Sequence, residues 1–305
     1  MALTQTRATL TEYARRAVHS GAVDDTATSR IQLGIENALL MISKDRKWSF
    51  LQDVVDIIAI APYSTGTCTA SGTTITGTLT VFPSNVVGQY FEFEGDKHWY
   101  EVTVRGGDTS LTIRQTYVAT GATSSSYRIV YPLYALPTNF GWLNALVDVT
   151  AGDPLVECSF NNQHELHSLR GGTGQPSSYA LVQKRHDSNV DQLFLYPSPS
   201  AERLYQLAYF RHPGWFDTAT PATSSWKRTA TADTDYVDWP DKYMDLLHDA
   251  IRACVAKEIR PELAQQYMGE YSMNMQKSAN MERKNGVPRL LGRDQSASRG
   301  NVWSF

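Results

Sequence analysis

Four stretches of the chain repeat apolar residues at helical spacing. Within 3–20, Leu10, Tyr13, Ala14 and Val18 fall on one face. Within 25–44, Ile31, Ile35, Ala38, Leu39 and Ile42 recur at i, i+4, i+7, i+8 and i+11, and Asp24 or Asp25 can cap the start. The plainest signal is "DYVDWPDKYMDLLHDAIRACVAKEIRPELAQQYMGEY", Asp235 to Tyr271. There Tyr243, Leu246, Leu247, Ala250, Ile251, Cys254 and Val255 form one apolar stripe, predicting a helix with Pro240 at its first position. Pro261 breaks that run and starts a second helix, with Leu263, Tyr267 and Tyr271 spaced by four until the pattern fades near Asn285 and Gly286.

Between these blocks the period changes to two. Trp48, Phe50 and Leu51 read as anchors before a strand over 54–60. From 62 to 132 short β-branched and aromatic runs alternate with Gly-rich turns, as in a small sandwich or barrel. "EGDKHWYEVTV" reads as a hairpin around Gly95 and Asp96, and "RGGDTSLTI" as another. "SSYALVQKR" and "DQLFLYPSPSAERLYQLAYFRHPG" give three strands, with Tyr205, Leu207 and Tyr209 on one face and Gln206, Ala208 and Phe210 on the other. "DTATPATSSWKRTATADTD" reads as a loop. The class is α+β: a core from the N-terminal helix pair and the C-terminal helices (1–61 and 133–285), an inserted β-module (62–132) and an extended tail (286–305).

Composition adds little to this picture except at the end of the chain. A chain of 305 residues with net charge −3 can bury about 75% of its unfolded surface, so it needs no staples. Cys68, Cys158 and Cys254 are scattered and odd in number, which argues against a disulfide framework and fits synthesis in a reducing compartment. The first residues lack the apolar core of a signal peptide, and no apolar run reaches membrane-spanning length, so no membrane partner is expected. From Gln276 to Phe305 six Lys/Arg stand against two acids, +4 in a chain that totals −3. This segment has no period, yet it carries Leu290, Leu291, Trp303 and Phe305. A basic strand with spaced apolar anchors suits folding onto a partner.

The motifs of common chemistry are incomplete. "HELH", His164 to His167, has i, i+3 spacing in place of H-E-x-x-H and reads as the polar surface of a short helix. "RGGTGQPSSYA" lacks the ending and spacing of a phosphate loop and reads as a turn before a strand. The acid pairs Asp235/Asp238 and Asp241/Asp245 stand near a helix start, where they complement its dipole. "FEFEGD" reads as an exposed acidic strand edge. No catalytic, metal-binding or cofactor-binding residue is assigned, and the expectation is a non-enzymatic, structural or binding role.

The order of parts resembles the head–tail adaptor proteins of tailed bacteriophages, also called connector, neck or head-completion proteins. The resemblance covers most of the chain. It is carried by "KWSFL", "YALPTNF", "GQPSSYAL", "LFLYPSPSAERLYQLAYFRHP" and "VDWPDKYMDLLHDAIRACVAKEIRPELAQQY". It implies a virion protein, made in the host cytoplasm, that forms a ring of about twelve copies under the portal at the capsid neck. Such a ring extends the DNA channel, helps retain and release the genome, passes double-stranded DNA without sequence-specific binding, and presents a platform to a tail nozzle or tail-tube protein. It further implies that the C-terminal segment docks on the portal. Arg289, Arg293 and Arg299 would then pair with acids, and Leu290, Leu291, Trp303 and Phe305 would fill apolar pockets. The stripe Tyr243, Leu247, Ala250, Ile251 and Cys254 would hold the root of that segment. An alternative from another class is a carbohydrate-binding tail protein whose sugar site is Tyr90, Phe91, Trp99 and Tyr100 on the β-module. A cell-wall hydrolase would instead need an acid pair in a cleft.

Overall fold

A computed structural model describes residues 3–18, 25–96, 98–118, 123–158, 173–183, 191–220 and 224–284. Among them the fold is α+β, with four α-helices and eighteen strands, many of them short. The chain divides into two compact units. One holds Met1–Asp53, Thr138–Asn144 and Ala208–Phe305; the other holds Val54–Pro137 and Ala145–Leu207. Residues 145–207, expected with the helices, thus group with the β-rich part. Three strands run across the division: β1 (Gln52–Ala59), β9 (Phe140–Asp148) and β15 (Arg203–Arg211).

The first unit is helical. α1 (Arg7–Ala17) opens with a capping box, in which the Thr6 hydroxyl accepts from the Thr9 amide and the Thr9 hydroxyl accepts from the Thr6 amide. Leu10, Ala14 and Val18 are buried, as their spacing predicts. α2 (Asp25–Asp45) buries Ile31, Ile35, Ala38, Leu39 and Ile42, the repeat seen in the sequence. α3 (Met244–Ile259) packs against α2 and against α4 (Pro261–Lys284). Gly34 of α2 sits where a Cβ would stand 2.6 Å from Val255 Cγ2 and 3.0 Å from Val255 Cα, so this glycine sets how closely the two helices approach. Trp48 is fully buried; its indole donates to the Ile42 carbonyl at 3.0 Å, and its ring joins Phe50, Trp239 and Tyr243 in one aromatic cluster.

One helix start differs from the sequence reading. Pro240 does not begin the helix. It precedes a 3-10 turn at Asp241–Tyr243, and α3 begins at Met244. The turn is closed by the Tyr243 amide on the Pro240 carbonyl at 3.0 Å, the Trp239 indole donates to the Tyr243 carbonyl at 2.8 Å, and Tyr243 stays outside helical geometry at φ −114° and ψ 15°. Ahead of that turn the chain start is sewn to the same region. The Arg7 amide donates to the Asp235 carbonyl and the Val237 amide to the Gln5 carbonyl. The expected loop over 217–235 also contributes β17 (Trp226–Lys227), which pairs with β16 (Trp215–Phe216) beside β18 (Tyr236–Val237).

The second unit contains a six-stranded antiparallel sheet in the order β2-β3-β6-β5-β4-β7. These strands are β2 (Thr67–Ser71), β3 (Thr74–Thr78), β4 (Tyr90–Phe93), β5 (Tyr100–Gly107), β6 (Ser110–Ile113) and β7 (Tyr127–Val130). The sheet curls into a half-barrel. Cys68 on β2 exchanges both backbone bonds, at 2.9 Å, with Ser125 just before β7. Tyr63 pairs in the same way with Ile129, so the entering and leaving segments lie side by side. Both expected hairpins are present: β4 pairs with β5 across a turn in which Gly95 has φ +84°, and β5 pairs with β6. The same unit carries a second sheet, β10 (Val156–Glu157), β12 (Ser178–Gln183), β13 (Asp191–Tyr196) and β8 (Leu133–Ala135), in that order. On β15, Tyr205, Leu207 and Tyr209 are buried and Gln206 is exposed, as the alternation predicts.

The close α2–α3 contact makes a specific prediction. Gly34→Ala should destabilise the helical unit by about 1–3 kcal/mol, because the added carbon meets backbone as well as side chain. Urea denaturation followed by circular dichroism should show the loss. Val255→Ala in the same chain should recover part of it by removing the nearer atom.

Candidate functional site

The expected docking segment follows α4 in the chain. Residues 285–305 lie outside the described residues, and with them every expected portal contact: Arg289, Leu290, Leu291, Arg293, Arg299, Trp303 and Phe305. The root is described. Of the expected stripe, Tyr243, Leu247, Ala250 and Ile251 are buried, and Cys254 is partly buried against the same core, where burial pushes its thiol up to about 11.

The last turns of α4 are fixed by Glu282, whose side chain is 3% exposed. Its Oε1 accepts from the Ser49 amide at 3.0 Å, the Ser49 hydroxyl at 2.7 Å and the Tyr243 hydroxyl at 3.3 Å. Arg46 Nε stands 3.6 Å from Oε2. Burial, and then the Glu282 charge, push the Tyr243 phenol up, which keeps it a donor. One buried carboxylate therefore joins α4, the end of α2, the Trp48 segment and the turn before α3. Tyr271, three turns earlier on the same face, donates to Asp45 at 2.6 Å. Tyr267 donates to the Ala17 carbonyl at 3.2 Å, tying α4 to the end of α1. No sequence pattern marks Glu282, an acid in the polar run "NMERKNG".

Beside this root opens a cleft of about 360 Å³ lined by Tyr13, Lys242, His248, Arg252, Lys277 and Met281, among others. The Tyr13 and His248 rings stack at 4.0 Å. Burial holds the imidazole below its ordinary range, against the pull of Asp245 and Asp249 and with the push of Arg252. Asp249 on α3 is buried and bonded to Arg252 and Asn274, and Arg252 lies over the Tyr267 ring at 5.5 Å. These charges are matched across α3 and α4, so the cleft is a braced helix junction.

The second unit has its own cleft, of about 500 Å³, lined by Ser64, Glu92, Glu94, Ser126, Arg128 and Thr173, among others. Glu92 does not stand at an exposed strand edge as "FEFEGD" suggested. β4 is flanked by β5 and β7, and Glu92 is buried. It accepts from the Trp99 indole at 2.9 Å and from Arg128 at 3.0 and 3.1 Å. The rings expected to stack on a sugar are largely interior. Phe91, Tyr100 and Trp99 are buried, while Tyr90 is half-buried and tilts against Trp99 at 5.3 Å. They do not share one face: Phe91 packs with Phe93 and Tyr127 inside the half-barrel, while Tyr90 and Trp99 lie on the opposite face of β4 beside Glu92.

The remaining acids hold turns in place. Asp235 is buried and accepts from the Thr231 and Ala232 amides at 2.7 and 2.9 Å and from Lys227 at 2.9 Å. Asp238 pairs with Arg211, and Asp241 accepts from Thr4 at 2.6 Å. Asp245 lies in the first turn of α3, where the dipole reading put it. In the second unit, buried Asp148 accepts from the Thr150 and Ala151 amides and from Arg203. "HELH" lies outside the described residues; of "RGGTGQPSSYA", Thr173 and Gly174 form a short strand paired with Ser198 and Pro199. Among the described residues no cluster of three His, Cys, Asp or Glu is placed to hold a metal ion, and no helix is long and apolar enough to cross a membrane.

Two predictions arise from these networks. Glu282→Ala leaves the Ser49 and Tyr243 donors without an acceptor. It should destabilise the helical unit by about 1–3 kcal/mol and speed amide exchange in the last turns of α4. Urea titration and hydrogen exchange read the two effects. The second concerns pH. Burial opposes ionisation of Asp148 and Asp235, yet amide bonds and the Arg203 and Lys227 partners hold both carboxyls below their ordinary range. Their contribution is therefore complete above about pH 4 and is lost as pH falls further. His248, also lowered, contributes fully above about pH 6.5 and loses that contribution as pH falls through its folded value. Thermal melting should show both declines, and His248→Gln should remove the one nearer neutral pH.

Compared with protein-family models and with curated proteins, the chain finds no match in either.

Proposed function

We propose that this chain is a structural subunit of a head–tail adaptor ring in a tailed bacteriophage, joining the portal to the tail and extending the DNA channel. The observation that carries the reading is the root of the C-terminal segment. Helices from the two ends of the chain share one core, and Glu282 pins the final turns of α4 to that core from several sides. A basic segment with apolar anchors at 290, 291, 303 and 305 follows this anchored helix. That arrangement suits a segment that orders on a partner from a fixed point. Ordering costs on the order of 1–2 kcal/mol per residue. Many such segments on one ring offset the cost through effective concentration.

The test is mass by light scattering, alone and with the cognate portal ring, for the full chain and for a chain ending at Asn285. The full chain should join the portal at one copy per portal subunit, and the truncated chain should not. If the full chain ignores the portal, the adaptor reading fails. If both chains bind equally, the ring stands and the role of the C-terminal segment does not.

A further inference from the structure

We draw no further inference here: the strongest candidate, the cleft of about 500 Å³ in the second unit, has its one buried acid, Glu92, already bonded by the Trp99 indole and by Arg128, and the rest of its polar lining does not select a ligand.

Discussion

The helical unit depends on α3 being covered from two sides. Its residues Leu246, Leu247, Ala250, Ile251, Val255 and Ala256 are all buried, far more than a one-sided surface helix would show. Fully burying a Leu or Ile side chain contributes roughly 1.5–3 kcal/mol, so this helix supplies much of what holds the unit together. The cover comes from distant parts of the chain: α2 from the first fifty residues and α4 from the last described stretch. Gly34 sets how near α2 can come, and the Asp249, Arg252 and Asn274 network sets how α4 lies on the other side.

Polar groups inside this unit act as fasteners at the joints between elements. Glu282, Asp235 and Asp249 are each buried, and each is bonded to partners far away in sequence or on another element. Unpaired, such carboxylates would be strongly destabilising. Paired, they define where a turn or helix end must sit. That is the property the proposed docking of the C-terminal segment would require of its root. An apolar core alone would tolerate a small slide of α4; a carboxylate with several donors would not.

The β-rich unit follows a different logic. Its half-barrel packs Phe91 on Tyr127 at 5.4 Å on one face of β4, and on the other face Glu92 accepts from the Trp99 indole and from Arg128. Cys68 belongs to the same interior, where burial pushes its thiol up to about 12, far from a reactive thiolate.

Periodicity along the chain determined the helices and the strands β1, β12, β13 and β15, but not the nine-residue β9. The Ile31 to Ile42 repeat, the Tyr243 to Val255 stripe, the break at Pro261 and the alternation around Tyr205 are local patterns, and burial of one face is all they encode. The hairpins at Gly95 and after Gly107 were legible for the same reason, because turn chemistry is local. What only the tertiary structure decided depends on partners far off in sequence. α3 starts at Met244 because the chain first closes a 3-10 turn over Asp241–Tyr243, to which the Trp239 indole also bonds. "FEFEGD" ceased to be an edge because β7, some 35 residues later, pairs with it. Glu282 looked like any acid in a polar run until Ser49 and Tyr243 came to meet it. Local spacing fixes which face of an element is apolar; which buried charge meets which donor is decided only when the chain closes on itself.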